Sequence, residues 1–331
     1  MKNKLALVIG GATYDITFFS PENVVLPQQN PTTEKLLAFE LGAKFYLNQT
    51  FYTPGGGAAN VAMVLNKLGL PTELLTAVGS DEHGNWLLAN FKKNNLGLNF
   101  LQTSTKPTGL SIIINTSHHA EHVLFSFRGA NEDLKIDADE LTKKYRSHPF
   151  TLLYLSSLSG RFSKSNLAHI FNFKRKNNDL ILTWNPGGPQ IKNGLTELKP
   201  WLKLTDLLVI NKDEARELCQ KDLSPLALKN THHLLTVLSQ TGPKIVVISD
   251  GAFGAHAIYQ GKKYFIPAVK TKAKDTTGVG DTFGATLAWA LFYTNYNIEK
   301  SLSLAAKNAA ANLKEIGAQT GLLNKAQLLN N

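Results

Sequence analysis

Short, continuously apolar runs recur along the chain: LALVI at 5–9, LLTAV at 74–78, LLYL at 152–155, LILTW at 180–184, LLVI at 207–210 and IVVI at 245–248. Each has strand length and closes on Gly, Asn or Ser. A strand that is apolar without interruption is covered on both faces, as in a parallel sheet flanked by helices. Helix-like segments fall between the runs: AANVAMVLNKLG, DEHGNWLLANFKKNNLG, SKSNLAHIFNFKRKN, NKDEARELCQ and SPLALKNTHHLLTVLSQTG. Several of them end on Gly, the usual residue beyond a helix C-terminus. Strand and helix alternating over the whole length predict a three-layer α/β/α sandwich with a mostly parallel central sheet.

Two stretches break this rhythm. Residues 34–53 and 108–128 alternate apolar and polar side chains, as half-exposed antiparallel strands do. A βα unit separates them, so they must meet in space as a small discontinuous β lid. With no internal repeat and no linker, the expectation is one α/β domain over residues 1–331 carrying lid insertions at about 34–53 and 108–128.

Composition narrows the function classes. The chain has 331 residues, 43% hydrophobic and 18% charged, which is the balance of a soluble globular protein. The apolar start of MKNKLALVIGGATYD ends after a few residues at Gly10, which reads as a first strand rather than a signal peptide. No run has the length of a membrane span, so no membrane partner is expected. A single cysteine, Cys219, excludes an internal disulfide and suits a reducing, cytoplasmic setting. The net charge of +10 is spread out, with clusters such as FKRKNN only a few residues long. Aromatic side chains do not interleave with arginine as in single-strand binders, so small anionic ligands are favoured over nucleic acid.

Two glycine-rich turns carry the chemistry. In PGGGAANVAMVLNKLG (54–69) Gly55, Gly56 and Gly57 let backbone approach a ligand, and Asn60 sits in the first turn of the following helix. In DTTGVGDTFGATLAWALF (275–292) the amides of Gly278, Val279 and Gly280 can converge on one point at a helix N-terminus. That nest suits an anion or the charge building on a moving phosphoryl group. Asp281 beside it would repel a resting phosphate, although an aspartate in a first helical turn is also ordinary dipole stabilisation. Neither turn is GxxxxGK[ST] or GxGxxG, so P-loop and dinucleotide folds are disfavoured. His118–His119 and His232–His233 lack a third ligand at metal spacing, and Cys219 lacks an activating partner.

The same two stretches resemble the C-terminal and N-terminal signatures of the ribokinase-like (PfkB) carbohydrate kinases. Further similar pieces follow in order: GGATYD, VGSDEHGNWL, KPTGLSIII, FRGANEDL, WNPGG, INKDEAREL, SDGAFGAHA and GAQTG. The resemblance covers almost the whole chain and implies a ribokinase-like fold and transfer of phosphate from ATP to a hydroxymethyl group. It implies Asp281 as base and the amides of 278–280 as anion hole. Asn211 and Glu214 match the N-x-x-E element that helps to hold Mg2+, with Asn211 also on the nucleotide side. Asp15 resembles the aspartate that binds sugar hydroxyls, above a floor of Gly55, Gly56 and Asn60. Asn185, Ser249, Gly251, Gly254 and Asn308 correspond in position to nucleotide contacts. Lys44 and Arg128, on the lid, would reach an anionic group on the acceptor if they face inward.

The chain departs from the family pattern in two places: Val279 where alanine is more common, and Ser249-Asp250 where a threonine or lysine with a small residue is usual. TPGGGAAN also lacks the GGKGAN form typical of ribokinase, which disfavours ribose. The implied cofactors are ATP and Mg2+, with a monovalent cation such as K+ as an optional third. The implied partner is a sugar or nucleoside, and exposed lid edges suit a homodimer. Competing readings are a nucleoside or sugar-phosphate kinase of the same family and a non-catalytic sugar- or nucleotide-binding homologue.

Overall fold

The structure is a computed structural model that describes residues 5–20, 25–26, 36–115 and 122–330. All six apolar runs supply strands of one eight-stranded sheet. Its order is Lys262–Ile266, Ala255–Tyr259, Ile245–Ser249, Leu207–Asn211, Ile181–Trp184, Leu152–Leu155, Ala6–Ile9 and Thr72–Leu75. The strands from Ile245–Ser249 to Thr72–Leu75 pair in parallel, and the two at the other edge are antiparallel.

Alternate side chains of these strands enter two separate cores, which is why the runs are apolar throughout. Ala6, Val8, Leu152, Tyr154, Leu207, Val209, Ile245 and Val247 meet the helices Gly57–Lys67, Val279–Tyr293 and Ile298–Asn312 on one side. Leu7, Ile9, Leu153, Leu155, Leu182, Trp184, Leu208 and Ile210 meet Ser163–Lys176, Leu195–Leu202, Lys212–Cys219 and Thr231–Ser239 on the other. Fully burying such side chains contributes about 1.5–3 kcal/mol each, so the two cores hold the sheet's C-terminal edge rigidly. Strand order reverses between Ala6–Ile9 and Leu152–Leu155, and the crevice at such a switch point is where open α/β sheets bind ligands.

A second sheet of four strands forms the lid, in the order His122–Phe127, Leu110–Asn115, Thr13–Phe19 and Thr50–Gly55. It differs from expectation in two ways. Thr13–Phe19 is a lid strand, parallel to Leu110–Asn115 and antiparallel to Thr50–Gly55. Its period of two, with Thr13, Asp15 and Thr17 buried and Tyr14, Ile16 and Phe18 half-buried, lies behind the Gly10-Gly11 turn that reads as loop. Conversely, residues 38–49 form no strand: Leu41 and Tyr46 are almost wholly exposed and Gly42 takes a φ of 82°. Alternation there has no neighbouring strand to supply backbone partners. Residues 34–35 and the pair His118–His119 lie outside the described residues.

No described helix is long and apolar enough to cross a membrane. Cys219 is buried and free, and burial pushes its thiol up to about 12.

Candidate active site

The DTTGVGD turn ends with Gly278 at a φ of 72°, and the helix Val279–Tyr293 starts from it. Glycine is required there twice over: the left-handed conformation disfavours a side chain, and a Cβ would collide with Ala318. The turn is held from below by Asp275, which is 2% exposed. Its carboxylate accepts hydrogen bonds from Thr277 N at 2.9 Å, Thr277 Oγ1 at 2.7 Å and Gly317 N at 2.9 Å. The N–H groups of Gly278 and Gly280 have no acceptor among the described residues, whereas Val279 N–H turns back to Thr276 O at 3.4 Å. The nest expected from three amides therefore offers two unclaimed donors. The Val279 side chain packs against the core beneath instead of crowding the turn.

Asp281 stands one residue further along this helix, half-buried. Asn60, projecting from the first turn of Gly57–Lys67, donates Nδ2 to Asp281 Oδ2 at 2.8 Å. Burial drives the Asp281 carboxyl up to about 7 against that hydrogen bond, and the charges of Glu214 and Asp15 push the same way. Gly57 faces the carboxylate, since a Cβ on it would lie 3.5 Å from Asp281 Oδ1 and would also strike Ser156 Oγ. Gly56 has a φ of 89° and a Cβ there would sit 2.6 Å from Ala12 Cα. The two glycine turns, more than two hundred residues apart in sequence, thus meet at one point.

Asp15 hangs from the inner face of the lid, 3% exposed. Thr13 Oγ1 donates to its Oδ1 at 2.7 Å, Ser111 adds a second side-chain hydrogen bond, and burial outweighs both to push it up to about 6. Gly55 lies against it so closely that any Cβ would occupy the position of its carboxylate. The lid also touches the signature turn directly, through His122 Nδ1 and Thr276 Oγ1 at 3.0 Å.

Asn185, Asn211 and Ser249 line up at the C-terminal ends of three neighbouring strands. Asn185 donates Nδ2 to Val209 O at 2.9 Å. Gly251 and Gly254 form the tight turn after Ser249, with φ of 51° and 103°. Asn211 and Glu214 make a reciprocal capping box: Glu214 N donates to Asn211 Oδ1 at 2.8 Å and Asn211 N donates to Glu214 Oε2 at 3.0 Å. The bland role of a helix start is therefore real for both. Glu214 nonetheless keeps its second oxygen, and burial raises its carboxyl from the ordinary glutamate value. No cluster of three or more His, Cys, Asp or Glu close enough to wrap a metal exists among the described residues.

Three predicted residues stand apart. Asn308 is fully buried between helices, donating Nδ2 to Thr286 Oγ1 at 2.8 Å and accepting from Leu323 N at 2.9 Å. Both ends of its amide are used inside the protein, where it ties the helix Ile298–Asn312 to its neighbours. Lys44 and Arg128 are exposed, and no contact among the described residues links either to Asp15, Asn60 or Asp281. Several residues of the site went unassigned from sequence: Ser111, Asp275, Ser156 and Gln319. GAQTG was visible as a motif, but only its packing against Asn60 identifies Gln319 as the residue that matters in it.

A mostly parallel α/β sandwich with a β lid over an aspartate and a glycine turn at a helix mouth is the architecture of the ribokinase-like kinases. The family model described as pfkB family carbohydrate kinase matches residues 24–325, and the chain belongs to that family. A ribokinase of Lactococcus lactis is 29% identical over 273 residues, covering 81% of this chain and 82% of the relative. Among solved structures, ribokinase of Arabidopsis thaliana complexed with ribose and ATP superposes with a TM-score of 0.76 at 21% identity, covering 99% of this chain and 98% of that one. A nucleoside kinase of Burkholderia thailandensis in complex with inosine gives a TM-score of 0.75 at 16% identity, covering 98% and 96%.

Proposed function

We propose that this kinase transfers the γ-phosphoryl group of ATP to a hydroxymethyl group of a sugar or nucleoside, with Asp281 as the base. The observation that carries the reading is the Asp281 carboxylate, held by Asn60 Nδ2 at 2.8 Å where the two glycine turns meet, next in the chain after the unclaimed N–H groups of Gly278 and Gly280; burial raises it to about 7. A base with that value takes a proton near neutral pH and can release it to solvent afterwards. Asp281 accepts the hydroxyl proton while the acceptor oxygen forms its bond to the γ-phosphorus and the bond to the ADP oxygen breaks. The amides of Gly278 and Gly280, with the partly engaged Val279 N–H, stabilise charge on the phosphoryl in transit. Asp15, Gly55, Gly56 and Asn60 form the acceptor floor, and Asn185, Asn211, Ser249, Gly251 and Gly254 the nucleotide side.

Glu214 keeps one carboxylate oxygen outside its capping hydrogen bond, where a cation held mainly by water and phosphate could meet it. Mg2+ keeps several waters and takes few protein ligands, so Glu214 with Asn211 at its cap fits it without a three-carboxylate cage. When bound with ATP it would neutralise phosphate charge.

The reading is tested by ADP release from MgATP with a panel of sugars, sugar acids and nucleosides, run with wild type and Asp281→Asn. Acceptor-dependent release with wild type and its loss by at least about a thousandfold in the variant is expected. A folded Asp281→Asn protein that retains near wild-type turnover removes Asp281 from the role. We further infer a homodimer through the lid, whose outer face exposes Tyr52, Ile112, Phe125 and Phe127. Sedimentation of wild type against Phe125→Glu tests it, with a purely monomeric wild type as the contrary result.

A further inference from the structure

We infer that Gln319, in the turn Gly317–Gly321, is a positioning residue that locks the Asn60 amide in the orientation that keeps Asp281 ionised. Gln319 Nε2 donates to Asn60 Oδ1 at 3.0 Å, and Asn60 Nδ2 donates to Asp281 Oδ2 at 2.8 Å. Polarity runs outward from the carboxylate. An ionised Asp281 only accepts, so Asn60 must present its NH2, which leaves the Asn60 oxygen needing a donor. Asn60 is 4% exposed, so solvent does not supply one, and Gln319 does. Turned about its terminal torsion, Asn60 would instead offer its oxygen to Asp281, an arrangement satisfied only by a protonated carboxyl.

The turn that carries Gln319 is itself fixed. Asp275 accepts from Gly317 N, and the buried Asn312 Nδ2 reaches Thr320 O at 2.8 Å and Ala318 O at 3.3 Å. A glutamine delivered by so constrained a turn holds one direction. Its own oxygen is buried and accepts no hydrogen bond among the described residues. Among the described residues, the titratable groups facing Asp281 are Asp15 from the lid, Glu214 from the helix Lys212–Cys219 and Tyr154 from the sheet below. None of them changes when Gln319 is replaced.

The inference rests on Asp281 being the base, and its test separates the two. Protein labelled with 13C at aspartate carboxyls is titrated by NMR, with the Asp281 signal identified as the one missing from Asp281→Asn. Gln319→Met, of similar length and neutral, is expected to raise the Asp281 titration midpoint by about one unit, because Asn60 no longer holds its donor on the carboxylate. Gln319→Glu, acceptor-only when ionised, should raise it further. In the Asn60→Leu background Gln319→Met should add nothing, since the coupling passes through Asn60. An unmoved midpoint in both Gln319 variants, or an equal shift with Asn60 absent, overturns the inference. Retained turnover in Asp281→Asn would overturn the base assignment instead, whatever the titration shows.

Discussion

Replacing Asp281 by asparagine should remove activity and at the same time stabilise the protein, in a pH-dependent way. Burial raises this carboxyl from 3.8 to about 7, which is about three units and, at 1.36 kcal/mol per unit, about 4 kcal/mol. The direction follows from linkage. Below 3.8 the group is protonated in both states and adds no penalty. From there to about 7 the unfolded chain increasingly prefers the ionised form, so wild-type stability falls as pH rises, and above about 7 the deficit stays constant. Asparagine does not titrate and its oxygen can still accept from Asn60, so the variant escapes the deficit. With an unfolding entropy of about 2.1 cal/mol/K per residue, 331 residues give roughly 1.4 °C per kcal/mol, and thus a Tm gain of about 6 °C. Thermal unfolding of both proteins at pH 4, 6.5 and 9 without metal should show curves that coincide at pH 4 and separate progressively to pH 9. A variant no more stable than wild type at pH 9 would mean that Asp281 is not a desolvated carboxylate, and with it the tuned-base reading would fail.

Three further outcomes follow from the geometry. Gly55→Ala puts a methyl on the Asp15 carboxylate; it should raise the acceptor KM by about tenfold to a hundredfold and cost about 1–3 kcal/mol in urea unfolding, while nucleotide affinity stays near wild type. Glu214→Gln keeps a side chain able to complete the capping box with Asn211, so helix content in circular dichroism should be unchanged, whereas the Mg2+ needed for half-maximal rate should rise by about ten to a hundredfold. With Asp281 at about 7, kcat/KM of the wild type should climb through the neutral range and level off above it; a flat profile between pH 6 and 8 would contradict a base of that kind.

Much of the layered fold could be read directly, because burial on both sheet faces writes itself as uninterrupted apolarity. LLYL and IVVI are strands wherever they fall, and their alternate residues fill two cores. Thr13–Phe19 was harder, since its neighbours in the lid are remote in sequence and a two-residue period behind a double glycine looks like any polar turn. The reverse held at residues 38–49, where alternation exists without a sheet to use it.

The site divides in the same manner. Asp281, Asn60 and the glycines around them are set by local chemistry: left-handed turns and close backbone approach admit glycine, and a helix mouth accepts an acid. Those residue choices are determined by the sequence alone, and so is the alternation that builds the sandwich. Tertiary structure alone decided which groups meet. It sank Asn308 between helices, turned Val279 into the core and its amide back on Thr276, and brought Gln319 against Asn60. The physical reason is that Asp281 owes its raised pKa to desolvation and to Glu214 and Asp15, groups far away along the chain, and that a side-chain amide has no fixed direction until its partners are in place.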